Sequence, residues 1–294
     1  MNDASAEWNT FPLDVTAVDI LMRGRSALDG GDVVAAANWF IYAERLGAAE
    51  AGSALRATIP LLEDAVSGGD AAAAAALAGV LLNLNECDRR IADLFRQADL
   101  AGVPEGRRGL GYVLATGLGV EKDIAQANKW YLSAANSGDG YAAYNLALNF
   151  FNGAGVIRNA KQYMHWLTVA AERGVPEACA RLGDALTAQR HYDKAVVWLE
   201  LAARRGQVQA MSVLADRYRD GLGVSVDLIQ AVRWYLCMLD HGRGDGVHEA
   251  LALASSMTAQ QLREAGRLSG HESDAELLIQ HQSSNGSRGD DLGS

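Results

Sequence analysis

Two short stretches begin the way a metalloprotease helix begins. His248-Glu249 and His271-Glu272 each pair a histidine with the glutamate that follows it. In that pattern a second histidine one helical turn further on completes a zinc site, and the glutamate serves as general base. Ala252 and Ala275 stand where the second ligand would be, so no metal site is expected. The cysteines, Cys87, Cys179 and Cys237, are odd in number and widely spaced, which fits neither a disulfide framework nor a zinc site. A nucleophilic thiol needs surroundings that stabilise the thiolate, whereas Cys179 and Cys237 fall inside apolar helical patterns and read as reduced packing residues. No Gly-x-Ser-x-Gly elbow occurs, and no glycine-rich phosphate turn follows a strand. Arg-Gly-Asp appears at Arg243–Asp245 and Arg288–Asp290, as loop composition alone produces in a chain rich in these residues. The six histidines form no cluster. No catalytic residue, metal or cofactor is expected, and the chain reads as a non-enzyme.

The formal net charge of −10 provides no basic field to hold a phosphate backbone, so nucleic acid is not an expected partner. The opening residues, MNDASAEWNTFPLD, carry acidic groups and lack the basic and apolar regions of a secretory signal. The longest apolar run, Ala71 to Leu82, falls short of the ~18–20 residues needed to cross a bilayer. A cytoplasmic protein without a membrane span is therefore expected, and the arginine- and alanine-rich composition points to a bacterial, GC-rich genome. With 49% hydrophobic residues, 31 Gly and 4 Pro in 294 residues, and with alanine abundant, the composition predicts helices throughout.

The elements come from a repeat. Trp130, Trp166, Trp198 and Trp234 lie in the same frame, with the middle interval the shortest: AQANKWYLSAANSG, AKQYMHWLTVAAERG, KAVVWLELAARRG and QAVRWYLCMLDHG. Each block ends in glycine, at Gly138, Gly174, Gly206 and Gly242. Upstream of each stands a leucine followed by a small residue, at Leu110-Gly111, Leu146-Ala147, Leu182-Gly183 and Leu214-Ala215. A large apolar residue one turn beyond, at Leu114, Phe150, Leu186 and Tyr218, shares that leucine's helix face. Between the two halves runs GLGVEKD, GAGVIRN or GLGVSVD. Its glycines supply positive φ and its terminal Asp or Asn supplies an N-cap, so each unit is a pair of antiparallel helices. The Leu182 to Trp198 unit lacks this turn, which accounts for its shorter interval. Gly111 and Gly183 inside a helix predict close approach of a neighbouring backbone, with the tryptophans filling the space between units. One such pair cannot bury its apolar face alone, so the pairs must stack into a continuous array with no internal boundary required.

Weaker copies extend upstream. Ala36 through Trp39 and Ala43 to Gly47 repeats the second-helix frame, and Ile91 through Leu94 and Ala98 to Gly102 does so with leucine in place of tryptophan. Ala71–Asn83 supplies a first helix for the latter. The segment Ala48–Gly69, containing Pro60, is read as an irregular helical pair.

The frame LGYVLATGLGVEKDIAQANKWYLSAANSG resembles the Sel1-like repeat, a branch of the tetratricopeptide-type α-solenoids, over Glu105–Gly242. The resemblance implies an all-α fold, a right-handed superhelical solenoid of stacked antiparallel helix pairs, acting as a scaffold for protein–protein interaction. Some secreted relatives carry paired cysteines in every repeat. This chain does not, so their disulfides do not transfer. The expected organisation is a leader over 1–12, degenerate helical repeats over 13–104, Sel1-like repeats over 105–254, capping helices over 255–281 and a disordered tail over 282–294. Thr258-Ala-Gln-Gln261 has the form of a capping box opening a helix to about Leu268, and Ser273 to Glu276 opens another to about His281.

In tetratricopeptide geometry, first-helix positions at fixed offsets from the repeat leucine face a concave groove. These offsets give Glu105, Arg108 and Tyr112; Tyr141, Tyr144 and Phe151; Glu177 and Asp184; and Gln209, Ser212, Asp216 and Arg219. Tyr112, Tyr141 and Tyr144 form the leading anchor candidate, since aromatic residues and arginine concentrate binding energy; packing between repeats is the competing role for the same tyrosines. The expected partner is a protein or peptide held in the groove by a non-enzymatic scaffold or adaptor. The alternative is a stoichiometric regulatory or inhibitory subunit of a single enzyme or toxin.

Overall fold

The computed structural model describes residues 16–86 and 89–290, and among these every regular element is helical. In chain order the helices are α1 (Ala17–Asp29), α2 (Val33–Arg45), α3 (Ala51–Ser67), α4 (Ala71–Asn83), α5 (Arg90–Leu100), α6 (Pro104–Thr116), α7 (Ile124–Asn136), α8 (Gly140–Asn152), α9 (Ala160–Glu172), α10 (Pro176–Ala188), α11 (Tyr192–Arg204), α12 (Val208–Asp220), α13 (Leu228–Cys237), α14 (Asp245–Ala254), α15 (Ala259–Ser269) and α16 (Glu272–Asp290). A 3-10 turn, Met238–His241, follows α13. The chain groups into two compact units, Met1–Ala178 and Cys179–Ser294. The division falls within α10 and not at a linker. The expected leader and Cys87 lie outside the described residues.

The repeat turns are built as their residues dictate. Gly117, Gly153 and Gly221 end α6, α8 and α12 in the left-handed region, each donating its N–H to a carbonyl of the last helical turn. The chain then reverses. Asp123, Asn159 and Asp227 cap α7, α9 and α13, their side chains accepting from backbone N–H groups of the first turn. Their own N–H groups donate back to the Leu114, Phe150 and Tyr218 carbonyls at 2.9, 3.0 and 2.9 Å. The large apolar residue one turn past the repeat leucine therefore also ties the loop shut through its backbone. In the shortened unit Arg190, at φ 61, takes the left-handed position, and His191 N–H closes onto the Leu186 carbonyl at 2.9 Å.

The second loop glycine has a role beyond conformation. A Cβ on Gly155 would lie 2.7 Å from the backbone of Ile124 and Ala125, and one on Gly223 would lie 2.5 Å from the Tyr192 carbonyl. Each loop thus lands on the first turn of the preceding second helix. Asn128 reinforces the first of these contacts. Buried in α7, it donates to the Ala154 carbonyl at 2.9 Å and accepts from Asn149 Nδ2 at 2.6 Å.

Three packing expectations need correction. The small residue after the repeat leucine admits first of all a side chain: a Cβ on Gly111 would lie 2.7 Å from the Tyr131 ring, and one on Gly183 would lie 2.7 Å from Leu199, with the Ala195 carbonyl oxygen next at 3.4 Å. The tryptophans are not uniformly the filling. Trp166 and Trp234 are buried but Trp39, Trp130 and Trp198 only partly so, whereas the residue after each, Phe40, Tyr131, Leu167, Leu199 and Tyr235, is at most 3% exposed. The segment 48–69 holds a single helix, α3, and not a pair. Leu55, Thr58 and Leu62 keep one buried face running through it, while Pro60 sits on the exposed side. There the carbonyl that its missing N–H leaves unpaired is free to meet water.

At the C-terminal end α15 opens with the expected capping box, Thr258 Oγ1 accepting from Gln261 N–H while Thr258 N–H donates to Gln261 Oε1 at 2.8 Å. α16 starts at Glu272, so Ser273 lies in its first turn, and Glu276 pairs with Arg263 Nε at 2.7 Å. This helix continues to Asp290, into the stretch expected from Gln282 onward as a disordered tail. Gln282 Nε2 donates to the Ala254 and Met257 carbonyls at 3.1 and 2.8 Å, anchoring the helix just past its expected end at about His281.

Candidate functional site

In the first unit, four of the predicted groove residues converge with two that the offsets did not select, Arg45 and Asp139. Tyr141, near the start of α8, lies 5.9 Å below the Arg108 guanidinium of α6 and 5.5 Å from that of Arg45, at the end of α2. Arg108 Nε donates to Asp139 Oδ2 at 2.8 Å, while the other oxygen of Asp139 caps α8 by accepting from Ala142 N–H at 2.8 Å. Asp139 is the main cause of the upward shift of the Arg108 pKa, with Glu105 adding to it against the cost of burial. Burial pushes the Tyr141 hydroxyl up to about 12; Glu177 adds to this and Arg45 opposes it. Tyr141 is therefore a neutral phenol across the physiological range. Glu177, in the first turn of α10, keeps a buried Oε2 with no hydrogen-bond partner among the described residues.

The remaining groove residues of this unit sit apart from that centre. Tyr112 is 43% exposed and lies near Tyr131, whose pKa burial raises. Tyr144 is half-buried. Phe151 turns to its own pair, its ring centroid 5.0 Å from that of Tyr163 with the Arg158 guanidinium 5.5 Å above it.

In the second unit, Asp216 and Arg219 belong to a packed polar knot. Tyr235 Oη donates to Asp216 Oδ1 at 2.7 Å, and Arg219 Nη1 reaches Tyr235 Oη at 3.2 Å and Asp216 Oδ1 at 3.0 Å. The Arg219 pKa is raised, chiefly by its hydrogen bond to Asp220, and burial followed by the hydrogen bond to Asp216 raises that of Tyr235. These groups satisfy one another across α12 and α13. Gln209 is exposed and Ser212 half-buried on the same helix. Asp184 is exposed on α10, with its pKa raised by partial burial against Arg181 and Arg217.

Arg45 and Asp139 were missed by the sequence reading. Asp139 had a signal, a Gly-Asp step directly before a helix. Arg45 had none, because it lies on a second helix, whereas the groove offsets are counted on first helices from the repeat leucine. The histidines singled out for metal lie elsewhere. His248 is exposed on α14, and His271 stands between Asp240 and Asp274, 3.2 Å from each. Among the described residues no group of three or more His, Cys, Asp or Glu is placed to hold a metal ion, and no helix is long and apolar enough to cross a membrane. Cys179 is buried and Cys237 half-buried, and neither is in a disulfide.

Stacked helix pairs with side chains gathered on their first helices define an α-helical repeat protein. Residues 104–139, 140–175, 176–207 and 208–242 each match the Sel1 repeat, so this stretch of the chain carries four Sel1 repeats. A Sel1 repeat protein from Oxalobacter formigenes has a similar structure, with a TM-score of 0.54 and 27% identity over 65% of this chain and 84% of that one. A protective antigen of uropathogenic Escherichia coli with an SLR fold aligns over 91% of this chain and 70% of its own, at a TM-score of 0.44 and 22% identity. An uncharacterized protein of Neisseria meningitidis serogroup B is 30% identical over 146 residues, 48% of this chain but only 30% of that relative's length. Sel1 repeats in general mediate protein–protein interaction and are typically non-catalytic scaffolds.

Proposed function

We propose that this protein is a non-enzymatic interaction scaffold or adaptor that binds a protein or peptide partner on the first-helix face of its repeats, centred on Tyr141. The observation that carries this reading is the meeting of α2, α6, α8 and α10 at one aromatic ring, with two arginines over it, Glu177 acting on it and Glu105 acting on Arg108. A rigid aromatic beside arginine is the composition of an interface hot spot, and a face shared by several stacked pairs suits an extended segment.

The test is a pull-down with quantitative mass spectrometry comparing the native chain with Tyr141→Ala/Tyr144→Ala, after circular dichroism has shown that the double variant keeps its helix content. Loss of the recovered partners is expected. Undiminished recovery by a folded double variant overturns the reading. An adaptor recovers several proteins in this experiment.

A further inference from the structure

We infer that Arg45 occupies the place that an arginine of the partner takes, so that the Tyr141 site is a receptor for an arginine-bearing segment with an internal arginine as its removable cover. The inference rests on the groove reading above and names the chemistry of its ligand.

The two arginines over Tyr141 are held differently. Arg108 is fixed by Asp139 at 2.8 Å. Arg45 is exposed, and among the described residues no carboxylate lies within ion-pairing distance of it, its contact being the Tyr141 ring at 5.5 Å. An exposed cation–π contact is weak, no larger than the entropy lost in ordering a long side chain, so Arg45 leaves readily. What it leaves behind is unsatisfied. Glu177 acts on Tyr141 yet has a buried oxygen without a hydrogen-bond partner, and an unmet acceptor of this kind is costly. Tethered to α2, Arg45 takes the ring but not the carboxylate.

An incoming guanidinium does both. Its planar fork stacks on the aromatic face while its N–H donors engage a carboxylate, which the point charge of lysine does less well. Glu105, beside Arg108, adds a second acidic group. Aromatic ring, unmet acceptor and excess carboxylate are complementary to arginine.

The test uses the full chain and three fluorescein-labelled degenerate octapeptide pools with arginine, lysine or glutamine fixed at the centre, read by fluorescence polarisation. The arginine pool is expected to bind best. Arg45→Ala, an exposed substitution that leaves the fold intact, is expected to tighten that binding about two- to fivefold, the equivalent of one exposed cation–π contact. Glu177→Gln is expected to abolish the preference for arginine over glutamine. An arginine pool that binds no better than the glutamine pool to Arg45→Ala overturns the inference, as does failure of every pool to bind. If the arginine preference is absent while the tyrosine double variant still loses its partners, the groove reading stands and only this inference fails.

Discussion

The docking of one repeat's loop onto the preceding helix is open to a direct measurement at Gly223. Two alanine substitutions share a backbone problem and differ in surroundings. Gly223 has φ +87 and a would-be Cβ 2.5 Å from the Tyr192 carbonyl carbon and oxygen and 2.9 Å from Asp193 N. Gly242 has φ +69 with nothing within 4 Å. Placing an L-residue in the left-handed region costs about 1–2 kcal/mol, which both variants incur. Gly223→Ala must in addition push apart two backbone segments that have no flexible end to yield, and overpacking of this sort adds about 1–3 kcal/mol. The expected losses are therefore about 1–2 kcal/mol for Gly242→Ala and about 2–5 kcal/mol for Gly223→Ala. Urea unfolding followed by far-UV circular dichroism reports them as shifts of midpoint at constant slope. Equal midpoints for the two variants would refute the docking argument, because the difference between them isolates the contact between successive pairs.

Other substitutions probe different links. Asn128→Ala removes a donor to Ala154 and an acceptor for Asn149 inside the first unit and should cost about 1–3 kcal/mol by thermal or urea unfolding. Arg190→Gly relieves a non-glycine residue at φ 61; the strain removed exceeds the added chain entropy, for a gain of up to about 1 kcal/mol, seen as a raised midpoint. Tyr141 is held protonated to about pH 12, above the ordinary value of about 10 for the unfolded chain. Its contribution to stability is therefore fully present below pH 10 and falls as pH rises from 10 toward 12. Tyr141→Phe should flatten the pH-dependent loss of stability in that window, measured by urea unfolding across the range, and an unchanged slope would show that Tyr141 is not held protonated by the fold.

Much of the fold was legible because each repeat carries its own punctuation. The paired loop glycines, the capping Asp or Asn and the apolar positions on one helix face fixed the helices from α6 to α13, and Ala71–Asn83 forms α4 at the expected bounds. Pro60 misled because a proline reads as a break, whereas an exposed position lets the helix continue. Tryptophan drew the eye to the wrong member of a pair, since the residue after it lies deeper. The candidate site was half legible. Offsets from the repeat leucine found Arg108, Tyr141 and Glu177, but the same offsets gave Phe151, which packs within its own pair, and Asp216, which Tyr235 and Arg219 already satisfy. Arg45 lies where the repeat has decayed, and only folding reveals that the end of α2 meets α8.

The loop that seats its second glycine on the preceding helix gives the array a direction. Gly155 needs the start of α7, and Gly223 needs the start of α11; neither asks anything of a residue that follows its own pair. During synthesis, each new pair therefore emerges to find its landing place already made, roughly one repeat upstream. Assembly of these repeats can proceed from the N-terminal side in short closures, without waiting for the end of the chain.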